Sequence, residues 1–175
     1  MHLHASRVVA AALLAIGCGL ADGASKNTAF NVSATVVSGC FISLASTMAF
    51  GNYVASAGDI DQTSTIAVGC TSGTPYGIGL STGTGDGSTF AQRTMSSATV
   101  AGSLQYNLYN TAARDRIWNN PGAPSATLRT QGGTGTGLAN VINHTVYGRL
   151  QDSETSQAAM PASDYTSTIT VSVNY

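Results

Sequence analysis

An alternation of apolar and polar residues at the end of the final stretch YTSTITVSVNY, from Thr168 to Tyr175, constrains the fold of this chain more than any other feature. A period of two places the apolar and the polar side chains on opposite faces of an extended backbone, which predicts a half-buried β-strand. The apolar set is Ile169, Val171, Val173 and Tyr175. Because a strand needs hydrogen-bonding neighbours along its edges, we expect either another part of the chain or a second chain to pair with it.

The same alternation recurs in shorter runs along the chain. The runs are FNVSATV, CFISL, STIAVGC, PYGIGLS, GSLQYNLYN and NHTVYGRL, and turn-forming residues separate them. Charged residues make up only 9% of the 175 residues, while Ser and Thr together number 42, a composition that suits strands and turns better than surface helices. Short strands without a long amphipathic helix predict an all-β chain and favour a β-sandwich.

The first 21 residues have the layout of a secretory signal peptide. Basic residues precede an apolar run over residues 8–20 that is too short to cross a bilayer. Small residues place the cleavage near Ala21, so the sequence predicts export. In the alternative interpretation, the degenerate lipobox AIGC would make Cys18 a lipid anchor.

Removal of this peptide would leave Cys40 and Cys70 as an even pair of cysteines. Exported proteins fold in an oxidising compartment, so the pair predicts a disulfide. In the chain-entropy model, a loop of this length stabilises the fold by roughly 3–4 kcal/mol. The rival interpretation, two free or metal-binding thiols, lacks a CxxC pair or a nearby His.

The sequence offers little for catalysis, cofactors or metals. His144 has no GxSxG nucleophile motif to serve, and we expect it on the solvent side of a strand. The Gly-rich runs at 83–87 and 132–137 are not followed by Lys, which favours hairpin loops over phosphate loops. Asp59 and Asp61 lack the remaining ligands of a calcium loop, so we expect a solvated turn. A net charge of −1 argues against nucleic acid as a partner. We therefore expect no enzyme and no cofactor.

Trp118 is the only Trp of the chain and lies in ARDRIWNNPG. We favour a structural role at a sheet edge. On an exposed loop, the same ring would stack on a sugar. Together with Tyr109 and the Gly-rich loops, it defines an alternative function, a secreted coat or carbohydrate-binding β-sandwich module.

Several longer motifs resemble a known family. GSLQYNLYNTAARDRIW resembles the signature stretch of the spore coat protein U domain, the subunit family of archaic-class chaperone–usher pili. RTM at 93–95, NVSATVVSGC, IAVGCTSGTPYGIGLS and the closing ASDYTSTITVSVNY fit the same family in the same order. The resemblance covers essentially the whole mature chain. One departure is WNNPGAP, which replaces the Gly/Asp-rich turn expected after the Trp.

The resemblance implies an incomplete immunoglobulin-like β-sandwich that lacks its last strand and is completed by a donor strand. It divides the chain into a signal peptide (1–21), an N-terminal donor-strand segment (22–38) and a pilin β-sandwich domain (39–175). The disulfide Cys40–Cys70 would tie the start of the first body strand to the second.

The resemblance also implies how the domain is completed. A periplasmic pilus chaperone lends a strand to the subunit, and an outer-membrane usher helps to exchange it for the N-terminal segment of a neighbouring subunit. The donor side chains would be Phe30, Val32, Ala34 and Val36. The acceptor, chaperone-facing strand would carry Ile169, Val171, Val173 and Tyr175, with the Tyr175 carboxylate as an anchor for a basic chaperone residue.

The predicted function is a structural subunit of a secreted adhesive pilus, exported through the periplasm to the cell surface and supporting attachment and biofilm. The residue pattern alone also allows FNVSATV to be an ordinary first strand that pairs within its own chain.

Overall fold

The computed structural model describes residues 25–120 and 131–175, and these contain eight β-strands and one short helix. The strands are β1 (Cys40–Ala45), β2 (Ile60–Cys70), β3 (Pro75–Leu80), β4 (Arg93–Ser96), β5 (Ser103–Tyr109), β6 (Gln131–Thr134), β7 (Ile142–Leu150) and β8 (Val171–Asn174). Helix α1 (Glu154–Gln157) is a single turn capped by Ser153. None of the described helices is long and apolar enough to cross a membrane. The predicted signal peptide and Cys18 lie outside the described residues.

The strands form two antiparallel sheets, which confirms the all-β prediction. One sheet has five strands in the order β1-β2-β7-β5-β4, and the other has three in the order β6-β3-β8. Apolar side chains from both sheets, among them Ile66, Ile78, Leu108 and Leu150, pack into one buried cluster between them. Two packed antiparallel sheets around a shared core are the architecture of an immunoglobulin-like sandwich.

A disulfide closes the first pair of the β1–β2 ladder. Cys40 and Cys70 are ladder partners, their Cα atoms are 4.1 Å apart, and their sulfur atoms are bonded. The disulfide predicted from the cysteine count is therefore present. It fastens the start of β1, an edge strand, to the end of β2.

Several predictions about strands and turns were wrong. The sequence did not indicate β4 or β6, and β6 includes Gly132 and Gly133, which we had expected in a hairpin loop. The turn expected around Asp59 and Asp61 is instead the entry into β2, which begins at Ile60, and Asp61 in this strand forms an ion pair of 2.7 Å with Arg149 on β7. The terminal segment forms a strand only over its last few residues, in β8.

His144 is buried, not on the solvent side of its strand. It is only 8% exposed, because it shares the inward face of β7 with Val146 and Leu150. The Tyr76 hydroxyl lies 2.9 Å from His144 Nε2 and gives the buried ring a hydrogen-bond partner. Burial lowers the pKa of His144 and favours its neutral form.

The described part of the N-terminal unit, residues 25–35, contains no helix or strand. Its alternating pattern predicted a strand, yet Phe30 and Val32 are 85% and 84% exposed. Ala34 is also exposed, as is Val36 just beyond it. The chain therefore presents this apolar face to solvent.

Candidate functional site

An apolar groove opens between two extended segments of the β-sandwich. The first wall is residues 45–53, which begin at the last residue of β1, and the second wall is residues 159–171, which end at the first residue of β8. Two adjoining depressions of about 670 and 370 Å³ make up the groove, and both are lined by Met48, Phe50 and Met95. We refer to this cleft as the groove.

The floor of the groove is the hydrophobic core itself. Leu104 and Leu150 line the larger depression, while Tyr106 and Val146 line the smaller one. All four side chains belong to the core cluster between the two sheets. A cleft that reaches the core of a sandwich marks a place where the covering layer of side chains is incomplete.

Beyond Ser46, the first wall has no ladder partner among the described residues. Met48 and Phe50 pack against the core at alternate positions, as in a strand. The amide of Ser46 still donates to the Thr65 carbonyl at 2.9 Å. Beyond it, no backbone N–H or C=O of residues 47–53 has a hydrogen-bond partner within the described residues. The wall is therefore an open sheet edge.

Asp152, which follows β7 closely, fastens the far end of this wall. Its carboxylate accepts hydrogen bonds from the Tyr53 hydroxyl at 2.5 Å and from the amides of Ser56 and Gly58 at 3.1 and 2.9 Å. The Tyr53 bond and the amide bonds hold the pKa of Asp152 at about 2. Desolvation and the same bond raise the pKa of Tyr53 to about 12. The carboxylate is thus ionised at any physiological pH and keeps the wall in place.

The end of the second wall, over residues 168–170, is bonded along one edge. The Ser81 amide donates to the Thr170 carbonyl at 2.9 Å, and the Thr170 amide donates to Ser81 Oγ at 2.9 Å. Thr168 is held on the same side by a bond from its amide to Thr84 Oγ1. Thr168 and Thr170 therefore turn their peptide groups towards β3 and the loop that follows it, whereas Thr166 exchanges two backbone hydrogen bonds with Ser96 on β4.

The odd-numbered residues turn their peptide groups the other way. Residues opposite each other in an antiparallel ladder alternate between bonded and non-bonded pairs. Val171 is a non-bonded partner of Leu80, whose amide donates to the Asn119 carbonyl instead. By the same alternation, Ile169 and Val173 direct their peptide groups away from β3. This edge has no neighbouring strand within the described residues.

The structure brings three of the four predicted acceptor residues together. Ile169, Val171 and Val173 are half-buried and pack against the core. Tyr175 lies beyond β8 and is 55% exposed, and of the four residues only Ile169 and Val171 line the groove. Sequence reasoning missed the first wall entirely. The signal that could have revealed it is the alternation of Met48 and Phe50 with small residues in STMAFG.

A buried arginine holds the residue that pairs with the second wall. Arg93 on β4 is fully buried and donates from Nε to the Ser81 carbonyl at 3.0 Å. It also donates from Nη1 to Asn107 Oδ1 at 2.8 Å and from Nη2 to the Trp118 carbonyl at 2.7 Å. Burial lowers the pKa of Arg93 to about 10. Ser81, which pairs with the second wall, is therefore held by a guanidinium in the core.

The aromatic residues considered for sugar binding are not available for it. Trp118 is completely buried, and its indole N–H donates to the Ile78 carbonyl at 2.8 Å, which confirms the structural interpretation. Tyr109 is buried as well. Within the described residues, no group of three or more His, Cys, Asp or Glu side chains is arranged to hold a metal ion.

Comparison with known proteins identifies related sequences and folds. The family model of the Spore Coat Protein U domain matches residues 26–172. Among solved structures, the chain is similar to one chain of a chaperone–tip adhesion subunit pre-assembly complex from the archaic chaperone–usher Csu pili of Acinetobacter baumannii, with 21% identity and a TM-score of 0.54. The match covers 81% of this chain but only 41% of that chain, so this chain spans about two fifths of its length. No curated protein matches the sequence.

Proposed function

Because the chain belongs to the Spore Coat Protein U domain family, we propose that it is a structural subunit of an archaic-type chaperone–usher pilus that assembles by donor-strand complementation. One observation carries the proposal. Two strand-like walls face each other across a groove floored by the core, and both leave peptide groups without partners. A single extended strand laid between them would pair with both walls and cover the floor.

The N-terminal segment of a neighbouring subunit has the pattern that this groove requires. Its apolar face, formed by Phe30, Val32, Ala34 and Val36, is exposed in the isolated chain. Burial of these side chains contributes about 1.5–3 kcal/mol for each large residue, and each ladder hydrogen bond adds roughly 0.5–1.5 kcal/mol. The contact is head to tail, so it repeats into a fibre instead of closing into a dimer.

An open groove is a hazard for a subunit before assembly, since unpaired edges and exposed apolar floor promote aggregation. A periplasmic chaperone that lends a strand would cover it, and an outer-membrane usher would then exchange that strand for the next subunit's segment. The similar solved structure is a chaperone–subunit complex, which supports a chaperone as partner. The Ile169–Val173 edge would face either donor strand.

The family and the Cys40–Cys70 disulfide support export into an oxidising compartment and then to the cell surface. The fibre would serve attachment and biofilm formation. Its activity is assembly driven by burial and hydrogen bonding, so it needs neither a catalytic group nor a cofactor.

Thermal unfolding of residues 39–175, with and without a synthetic peptide of residues 26–38, tests the proposal. We expect the peptide to raise the unfolding midpoint by many degrees. A peptide with Val32→Asp and Ala34→Asp should have no effect, whereas Ser33→Asp, on the opposite face, should preserve the shift. A domain that is stable, monomeric and indifferent to the native peptide would overturn donor-strand complementation.

A further inference from the structure

Methionine is concentrated in the groove. The chain has four methionines, and apart from Met1 they are Met48, Met95 and Met160. All three line the larger depression, although they come from the first wall, from β4 and from the second wall. We call these three residues the methionine cluster.

The surroundings of the cluster are apolar and open to solvent. Met48 and Met95 are half-buried against the core, and Met160 is mostly exposed at the edge of the groove. The Tyr165 hydroxyl donates to the Met160 carbonyl at 2.8 Å and holds that residue in the second wall. Both cysteines of the described residues are in the disulfide, so the three thioethers are the reduced sulfur atoms of this part of the chain.

We infer that the methionine cluster is an oxidation-sensitive modification site that decides whether the groove accepts a donor strand. The inference rests on the proposed function. The oxidant is hydrogen peroxide: a thioether lone pair attacks one peroxide oxygen, an S–O bond forms as the O–O bond breaks, and the departing hydroxide takes the proton from the oxygen now on sulfur and leaves as water. Sulfur is oxidised by two electrons, the peroxide is reduced, and the product is methionine sulfoxide.

Oxidation changes the chemistry of the groove without removing any atom. A sulfoxide oxygen is a strong hydrogen-bond acceptor, whereas the apolar face of a donor segment offers no side-chain donor. A bound donor segment would remove water from that oxygen without replacing the lost hydrogen bonds. The cost corresponds to a roughly ten- to hundredfold loss of affinity for the donor segment. A donor strand already in place would shield the half-buried Met48 and Met95, so unassembled subunits would be the sensitive ones.

The test uses the mature chain from residue 22 with Val32→Asp and Ala34→Asp, so that its own segment does not compete, hydrogen peroxide as the oxidant and a fluorescent peptide of the native residues 26–38 as the probe. We expect one added oxygen at each of Met48, Met95 and Met160 by peptide mass spectrometry, and roughly ten- to hundredfold weaker binding. Peptide bound before oxidation should slow the reaction at Met48 and Met95. Circular dichroism should show that the oxidised protein remains folded.

The matched control is a variant with all three methionines changed to Leu, a nearly volume-conserving substitution. It should bind the peptide equally well before and after peroxide. Undiminished binding by the fully oxidised methionine-containing protein, loss of the fold on oxidation, or no protection by bound peptide would each overturn the inference, and the protection experiment needs no methionine variant. Failure of the unoxidised protein to bind the peptide would overturn the proposed function itself, and the inference with it.

Discussion

Ser81 and Thr170 are joined by a pair of backbone and side-chain hydrogen bonds, both 2.9 Å long, and this pair decides which edge of the terminal segment is open. Because Thr170 is bonded towards Ser81, its neighbours Ile169 and Val171 turn their peptide groups to the groove. The Ser81 carbonyl is bonded in turn to buried Arg93. The open edge is thus held in place by the core.

Substitution of Arg93 tests this support. Arg93→Met removes three hydrogen bonds from the guanidinium and leaves the Ser81 and Trp118 carbonyls and Asn107 Oδ1 without that donor. We expect a loss of about 3–5 kcal/mol in the free energy of unfolding, measured with denaturant. Arg116→Met, on an exposed side chain, is the control and should change stability little. Equal losses in the two variants would contradict the role of Arg93.

His144 makes stability depend on pH. Its pKa is lowered below 6.5 by burial, so on acidification the unfolded chain takes up a proton before the folded protein does. The contribution of neutral His144 to the free energy of unfolding is therefore fully present above pH 6.5. It is lost progressively below that pH, by at most about 1.4 kcal/mol per pH unit. Urea unfolding at pH 7.5 and 5.0 should show a larger acid-induced loss for the wild type than for His144→Gln. An identical loss in both would refute the assignment.

The two faces of the donor segment should behave differently. Val32→Asp places a charge on the face that enters the groove of the next subunit, while Ser33→Asp places the same charge on the other face. Both side chains are exposed in the isolated chain, so neither change should alter its unfolding temperature. Expression with the chaperone and usher, followed by electron microscopy of fibres, should show loss of fibres only for Val32→Asp. Fibres from both variants would argue against this strand face.

The sequence revealed the strands in which apolar and polar residues alternate. In β7, the inward Val146 and Leu150 alternate with polar residues, and the strand was predicted. Strands β4 and β6 are four residues of mainly polar or Gly character, and their pairing is imposed by β5 and β3. The burial of His144 depends on Tyr76, which is 68 residues away in the chain. Such long-range partners leave no local pattern.

The two walls of the groove differ in how much of them the sequence pattern indicated. The end of the second wall could be anticipated because Ile169 and Val171 lie in a long alternating stretch. The first wall repeats only at Met48 and Phe50, and its defining property is the absence of a ladder partner, which depends on how the rest of the chain folds.

Because Gly148 on β7 has no side chain, Met48 and Phe50 of the first wall pack close to its backbone. A Cβ atom at this position would overlap the Met48 sulfur and would stand 3.1 Å from Phe50 Cζ, so Gly148→Ala should push both side chains outward. We expect a loss of about 1–3 kcal/mol in stability from overpacking. Because the displaced side chains would narrow the groove, we also expect weaker binding of the 26–38 peptide, measured by fluorescence titration.

The control for this change is Gly39→Ala, where an added Cβ would meet no atom within 4 Å. It should leave both stability and peptide affinity close to those of the wild type. If Gly148→Ala lowered stability but bound the peptide with unchanged affinity, the first wall would not be part of the acceptor surface. Reduced affinity in Gly148→Ala alone would show that Met48 and Phe50 shape the surface that receives the donor strand.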